Sequence, residues 1–388
     1  MAGLIIKPRA RILHGHDWVF SGEVLKAFGN PADGEVISLK DGKDKLLGSA
    51  IYNSQSQIVA RRFSRKRQEL DLDFFQRRIA QAAEYRARRG VDPRLCRLVW
   101  SESDGLPGVI VDRYGDHLVL QTLTLAMDQR KALIVEALQS LHPQSIIERN
   151  DAPVRRAEGM DLQNSVLTGT PPDELELEIG GLRFAMDLRH AQKTGFYLDQ
   201  LPHYPTIAAH AKGRRVLDCF TNQGGFALAC AQAGAEMVIG VEASSESLAA
   251  ARGNAARNEL KVNWVEQDVF DFLRAAEKQE AQYDLIILDP PSFTKTKGGL
   301  HNAMRGYREL HVRAFKLLSK DGLLATFSCS HHVSEAAFAE TIADALVDAR
   351  RSARRLRRFE QAADHPVLPT LPETEYFKGV LLEMMPGR

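Results

Sequence analysis

The chain has 388 residues, of which 44% are hydrophobic and 26% charged, and its formal net charge is +1. This length predicts more than one domain, and the lack of a long apolar stretch argues against a membrane-spanning helix. Its four cysteines, Cys96, Cys219, Cys230 and Cys329, form no CxxC pair and no Cys/His cluster, which argues against a disulfide framework and a metal site. The N-terminus turns basic and aromatic before any signal-peptide core, so we expect a cytoplasmic protein.

The charge is distributed unevenly along the chain. Residues 1–100 contain 19 Lys/Arg against 11 Asp/Glu, a net of +8, and the other 288 residues contain 32 against 39, a net of −7. A basic N-terminal region followed by a mildly acidic remainder favours an anionic partner such as nucleic acid. The simpler alternative is a solvated charged surface.

Short predicted strands separated by turns occupy residues 1–70, as in WVFSGEV at 18–24, EVISLK at 35–40 and QIVARRF at 57–63. Closely spaced strands of this kind are typical of a small β-barrel. A basic run closes this first unit, and it consists of Arg61, Arg62, Arg65, Lys66 and Arg67.

A smaller α+β domain is predicted for residues 71–170. It opens with a helix over 73–89 that places Phe74, Phe75 and Ile79 on one face, and strands around a second helix follow. Residues 171–189 are predicted to form a β-hairpin connector that turns at Gly180-Gly181.

From residue 190 to 388 the pattern alternates apolar strands with amphipathic helices, which predicts an α/β domain with a doubly wound parallel sheet. Ligands of such sheets bind at the carboxyl ends of the strands, near the point where the strand order reverses. The residues at the strand ends therefore indicate the ligand.

The first three strands of this domain each end near an acid: Asp218, Glu242 and Asp268. The turn after Asp218 lacks the G-x-G-x-x-G pattern of a pyrophosphate loop, so an NAD-dependent oxidoreductase is disfavoured. A carboxylate near the first turn suits the cationic groups of S-adenosylmethionine (SAM), Glu242 suits its ribose and Asp268 its adenine. The alternative is that each acid caps the following helix. Predicted SAM contacts on this sheet are Asp218, Phe220, Asn222, Gly224, Glu242, Asp268 and Asp289.

The fourth strand leads into Asp289-Pro290-Pro291-Ser292-Phe293 and the fifth ends at Ser328-Cys329-Ser330. Neighbouring carboxyl ends would bring Cys329 close to Asp289. A thiolate that adds to carbon 6 of cytosine activates carbon 5 for methylation, and Asp289 is placed to assist at N3. Two alternatives stay open: a methyltransferase that uses Asp289-Pro290-Pro291 on an exocyclic amine, and a non-catalytic RNA-binding protein. A buried cysteine with only a packing role is the simpler interpretation of Cys329.

These motifs, together with others along the chain, resemble the ribosomal large-subunit methyltransferase I family, the 23S rRNA 5-methylcytosine methyltransferases. His14-x-His16-x-Trp18-Val19-Phe20-Ser21-Gly22-Glu23 is similar to the start of the family's PUA domain, an RNA-binding barrel. Gln192-Lys193-Thr194-Gly195-Phe196-Tyr197-Leu198-Asp199-Gln200 resembles the motif that precedes its catalytic domain.

The resemblance implies a Rossmann-like SAM domain with Cys329 as nucleophile and 23S rRNA as partner. It adds Lys193, Phe196 and Tyr197 to the SAM contacts and assigns the basic run at 61–67 to RNA. The oligomeric state stays open, a homodimer included. The second basic run, six arginines between Arg350 and Arg358, has no counterpart in the resemblance. It either contacts rRNA or forms one solvated helix face, and the second interpretation is favoured.

Overall fold

The computed structural model describes residues 2–189, 195–294 and 297–386. By packing, the chain divides into two compact units. The first comprises Met1–Leu175, Met186–Leu198 and Ala363–Thr374. The second comprises Glu176–Ala185, Asp199–Ala362 and Glu375–Arg388.

The first unit begins with a six-stranded sheet in the order β2-β6-β5-β4-β1-β3, in which only the β1–β4 pair is parallel. Leu4, Ile37 and Ala50 lie in its apolar core. The predicted strand over 18–24 is wrong, because a 3-10 turn at Ser21–Glu23 interrupts it. The strands are β1 (Gly3–Ile6), β2 (Trp18–Val19), β3 (Val24–Phe28), β4 (Val36–Lys40), β5 (Leu46–Tyr52) and β6 (Ala60–Ser64).

A five-stranded sheet in the order β11-β10-β9-β8-β7 forms the rest of this unit, with helix α1 (Leu72–Arg88) packed on it. Asp71 caps α1, since its carboxylate accepts a hydrogen bond from Phe74 N. Phe74 and Phe75 are buried as the periodicity predicts. The other elements are β7 (Leu95–Trp100), β8 (Val109–Tyr114), β9 (His117–Thr122), α2 (Leu125–Asp128), α3 (Lys131–Gln139), β10 (Ser145–Asn150), α4 (Val154–Ala157) and β11 (Gln163–Gly169).

The second unit is built on a seven-stranded sheet in the order β16-β15-β14-β17-β18-β20-β19. The first five of these strands are parallel, and β20 is antiparallel to both of its neighbours. The strands are β14 (Arg215–Cys219), β15 (Met237–Glu242), β16 (Asn263–Glu266), β17 (Tyr283–Leu288), β18 (Leu318–Ser328), β19 (Ala353–Phe359) and β20 (Lys378–Met384).

Six helices of the described chain accompany this sheet, and the predicted hairpin is present as β12 (Leu175–Ile179) with β13 (Leu182–Met186). Leu217, Ile286 and Phe315 belong to one large apolar core between sheet and helices. The helices are α5 (His203–Ala208), α6 (Gly225–Gln232), α7 (Ser245–Arg257), α8 (Val269–Lys278), α9 (Leu300–Leu317) and α10 (Glu335–Asp348).

The structure contradicts the helix predicted for the second basic run. The run was expected on a helix, but Arg354–Arg358 lie on β19, the edge strand of the sheet, where antiparallel pairing with β20 fixes the backbone. Long-range pairing has overridden local helix propensity. Within the described chain, no helix has both the length and the apolar character needed to cross a membrane.

Candidate active site

The order of the central sheet reverses between β14 and β17, which lie side by side. Cys219, the last residue of β14, pairs with Leu288, the last residue of β17, and Asp289 N lies 3.5 Å from Cys219 O. The two strands therefore end at the same edge. This edge is where an open α/β sheet binds its ligand.

Asp218 is buried on β14, with 1% of its surface exposed. Its Oδ2 accepts hydrogen bonds from Thr221 Oγ1 at 2.5 Å and Ala227 N at 3.0 Å. No described residue hydrogen-bonds its Oδ1. Burial raises the pKa of this carboxyl to about 7, against the two hydrogen bonds. An unsatisfied buried carboxylate oxygen calls for a ligand that is cationic or donates a hydrogen bond.

The loop that follows β14 is held in an unusual backbone conformation. Phe220 and Asn222 have φ values of 63° and 50°, and Gly224 has 87°. This left-handed region is costly for residues other than glycine, and such strain concentrates at binding sites. A Cβ on Gly225 would lie 2.6 Å from the Tyr204 ring, so the start of α6 requires a glycine there.

The other two acids accept hydrogen bonds from the backbone. Glu242 bonds Asn222 N at 3.0 Å and also Ala243 N and Ser244 N, and thereby ties the end of β15 to the strained loop. Asp268 is exposed and caps α8 through Phe270 N and Asp271 N. Asp268 therefore acts as a helix cap, which is the alternative to a ligand contact. Glu242 instead connects the end of β15 to the loop that follows β14.

These residues fit SAM. Asp218 presents an unsatisfied oxygen to a cation, Glu242 stands at the second strand end, and the strained loop brings its backbone to the same edge. The predicted Phe196 and Tyr197 belong to the first unit, where Phe196 N donates to Tyr114 Oη at 3.0 Å. Lys193 lies outside the described residues. The SAM roles of these three residues stay predictions.

Cys329 follows β18 and is partly exposed, whereas Cys96, Cys219 and Cys230 are buried. Burial raises the pKa of the Cys96 thiol to about 12 and raises those of Cys219 and Cys230 as well. Because the thiolate is the reactive form, these three side chains are inert. Cys329 is thus the cysteine of the chain that a substrate can reach.

The turn after Cys329 contacts the loop that follows Asp289. Ser330 Oγ donates to Thr294 O at 3.4 Å, and Ser292 Oγ donates to the same carbonyl at 2.8 Å. Asp289 and Cys329 both act electrostatically on Tyr307 of α9. The structure therefore brings together the ends of the fourth and fifth strands, as the sequence predicts.

Two side chains near Cys329 were missed by sequence reasoning. Tyr307 Oη donates to Ser328 Oγ at 2.9 Å, and Lys378 Nζ donates to Ser330 O at 2.7 Å. Lys378 approaches only through the pairing of β20 with β18, about 50 positions away in sequence. No local pattern signals either contact.

The basic run at 61–67 separates into paired and exposed members. Arg61 bonds Glu102 at 2.8 Å and stacks on Trp18, and Arg62 pairs with Asp17 at 2.8 Å. Burial acts to raise the pKa of Glu102, but Arg61, Ser101 and Trp18 outweigh it and lower that pKa. Arg61 and Arg62 are therefore held within the first unit.

A cavity of about 740 Å³ in the first unit is lined by further members of this run. Arg65 and Lys66 are exposed at the cavity, as is Arg89 of α1, and no described carboxylate lies within ion-pair distance of them. The acids of the lining are already paired, for example Asp104 with Arg86 at 2.6 Å. Arg67 is exposed but does not line the cavity. The cavity therefore carries uncompensated positive charge that suits a phosphate backbone.

Comparison with known proteins defines the class to which this fold and site belong. The chain matches a family model described as S-adenosylmethionine-dependent methyltransferase over residues 155–382, and a PUA-like domain model over residues 4–65. Among the described residues, no group of His, Cys, Asp and Glu side chains is arranged to hold a metal ion. The molecule is thus a SAM-dependent methyltransferase with an N-terminal PUA-like domain.

A more specific assignment comes from relatives of similar length. Ribosomal RNA large subunit methyltransferase I of Escherichia coli strain K12 is 40% identical over 384 residues, which is 96% of either chain, and the protein of strain O157:H7 matches equally. The chain therefore belongs to the ribosomal RNA large subunit methyltransferase I family. The predicted fold class, family and SAM cofactor are confirmed.

Solved structures agree on the fold. A candidate SAM-dependent methyltransferase from Streptococcus mutans superposes with a TM-score of 0.84 at 22% identity, and covers 99% of this chain and 100% of its own. The candidate methyltransferase SMU.776, complexed with SAH, gives a TM-score of 0.85 at 23% identity with the same coverage.

Proposed function

We propose that this enzyme methylates carbon 5 of a cytosine in 23S rRNA in the cytoplasm, through a covalent bond between Cys329 Sγ and carbon 6 of the base. One observation carries the proposal. The reachable cysteine of the chain stands at the end of β18, beside the loop of Asp289. An enzyme acting on an exocyclic amine has no use for a thiol there.

Cys329 acts as the nucleophile in the proposed reaction. The thiolate adds to carbon 6, a C–S bond forms, and the electron pair of the C5–C6 double bond moves to carbon 5. SAM, when bound, supplies the methyl group that carbon 5 takes up. Loss of the carbon 5 proton then restores the double bond and expels the thiolate.

Asp289 is assigned to the base rather than to the thiol. A carboxyl group at the edge of β17 can hydrogen-bond or protonate N3 of cytosine, and this draws electrons from carbon 6 and assists the addition. Burial raises the pKa of Tyr307, so it stays a neutral phenol, and its proton is donated to Ser328 Oγ beside Cys329.

The RNA must reach this edge as an unpaired or flipped base, because carbon 6 is inaccessible inside a stacked helix. The cavity with Arg65, Lys66 and Arg89 supports phosphate binding by the first unit. The relatives carry the ribosomal large subunit in their name, and we assign the same RNA to this chain.

The product identifies the reaction. Purified protein is incubated with 23S rRNA from cells that lack the gene and with labelled SAM, and the nucleosides are analysed by mass spectrometry. We expect labelled 5-methylcytidine. A labelled N-methyl nucleoside would transfer the chemistry to Asp289-Pro290-Pro291, and an unmodified RNA would contradict the assigned substrate.

The covalent step has its own test. With RNA that carries 5-fluorocytidine, carbon 5 has no proton to lose, so the C–S bond persists and the complex survives denaturing electrophoresis. We expect this adduct with the unmodified protein and with Cys230→Ala, whose thiol is buried, but not with Cys329→Ala. An adduct that forms with Cys329→Ala would sink the assignment.

A further inference from the structure

Lys378 lies beside the end of β18 because of the way the last strand pairs. In the antiparallel register of β18 with β20, Lys378 stands opposite Ser328, the residue before Cys329. Its Nζ donates to Ser330 O at 2.7 Å and to Val333 O at 2.5 Å. The ammonium therefore joins both ends of the turn that follows the cysteine.

The Lys378 side chain is half-buried. Burial lowers the pKa of the ammonium to about 8, whereas the nearby Cys329, Glu375 and Glu335 act in the opposite direction. At neutral pH most of the population still carries the charge. The pair of carbonyl bonds also favours the protonated form, since an ammonium donates and a neutral amine donates more weakly.

Groups from several elements lie near Cys329 or near the turn that follows it. Asp289 lies after β17, and the Tyr307 phenol on α9 is neutral because burial raises its pKa. Glu335 at the start of α10 is held by Arg358 at 2.8 Å. His331 packs on Tyr376 with ring centroids 5.2 Å apart. Lys378 supplies positive charge that acts on the thiol itself.

We propose that Lys378 is a positioning residue for the nucleophile, which holds the turn at 330–333 in place and stabilises the thiolate of Cys329 by its positive charge. The inference rests on the proposed role of Cys329. At neutral pH the lysine keeps its proton during the reaction, and the thiol proton leaves to water.

The test measures the thiol without RNA or SAM. Because the other three cysteines are buried, the rate of alkylation by iodoacetamide reports Cys329, with Cys329→Ser as the blank. Rates are taken from pH 5 to pH 10 for the unmodified protein and for Lys378→Met. We expect the midpoint of the pH profile to rise by about one unit in Lys378→Met, so the rate near pH 7 falls about tenfold.

Two variants separate charge from structure. Lys378→Arg keeps the charge, and we expect its midpoint to return to that of the unmodified protein. Lys320→Met removes an exposed ammonium near the opposite end of β18, and its profile should not move. If Lys378→Met does not fold, as circular dichroism would reveal, Lys378→Gln takes its place, because the amide keeps a donor for the carbonyls.

An unchanged midpoint in the neutral variants would overturn the proposal and leave Lys378 as a structural clamp. A lower alkylation rate at high pH with an unchanged midpoint would overturn the proposal in the same way. This result can be distinguished from that of the RNA assay. An N-methyl product would contradict the role of Cys329 as nucleophile, even if the midpoint shifts in Lys378→Met. Formation of 5-methylcytidine without a shift in the midpoint would contradict only the role of Lys378.

Discussion

The two halves of the sheet edge in the second unit use their polar groups differently. At the ends of β14 and β15, the carboxylates of Asp218 and Glu242 accept hydrogen bonds from nearby backbone amides. At the end of β18 and the start of β20, Lys378 donates to carbonyls of the turn that follows Cys329. The first half fixes the backbone of a strained loop, and the second fixes the turn that follows Cys329. Ligand binding and chemistry should therefore respond to different substitutions.

The largest effect is expected in the half with the thiol. On the proposed mechanism, Cys329→Ala removes the nucleophile that activates carbon 5, and we expect methyl transfer to fall by on the order of 10³-fold or more. SAM affinity, measured by calorimetry, should stay within about twofold, since the alanine leaves the acidic half unchanged. A parallel loss of SAM affinity would mean that the two halves are not separate.

The reverse pattern is expected for Asp218. Asp218→Ala removes the unsatisfied oxygen together with its bonds to Thr221 and Ala227, and a hydrogen bond to a charged group contributes about 1.5–3 kcal/mol. We expect SAM to bind roughly 10- to 100-fold more weakly, while the pH profile of Cys329 alkylation does not change. Normal SAM affinity in this variant would argue against Asp218 as a ligand.

Asp218 should also make stability and SAM affinity depend on pH. Burial raises the pKa of Asp218 from the ordinary 3.8 to about 7, so the folded protein holds this proton where the unfolded chain has lost it. Stability should therefore fall as pH rises from 4 to 7 and then level off. A cationic ligand favours the ionised form, so SAM affinity should rise about tenfold between pH 6 and pH 8. Calorimetry on Asp218→Asn should give a flat profile, and a slope retained in that variant would point to another group.

The smallest effect is expected at Asp268. If capping of α8 is its main role, Asp268→Ala should lower the free energy of unfolding by about 1 kcal/mol and change SAM affinity by less than about threefold. Ser334→Ala, which removes the corresponding cap from α10, is the matched control in urea unfolding. A loss of SAM affinity confined to Asp268→Ala would support the predicted contact with adenine.

The sequence predicted best where a residue and its structural role lie close together in the chain. The strand-end acids and the start of α8 follow from local patterns, and each lies at the end of a buried strand or the start of a helix. Lys378 and Tyr307 could not be found in this way, because their contacts depend on pairing and packing between distant segments. The helix face expected for the arginines between Arg350 and Arg358 was wrong for the same reason, because Arg354–Arg358 pair with the distant strand β20.

The arginines on β19 have a consequence for encounters between molecules. This strand has one free side, and Arg354, Arg355, Arg357 and Arg358 are all exposed along it. Open edges are sites where a sheet can extend by adding a strand from another chain. Arg358 pairs with Glu335, but two copies that met here would each bring the guanidinium groups of Arg354, Arg355 and Arg357 against the other, and the repulsion would oppose growth of the sheet.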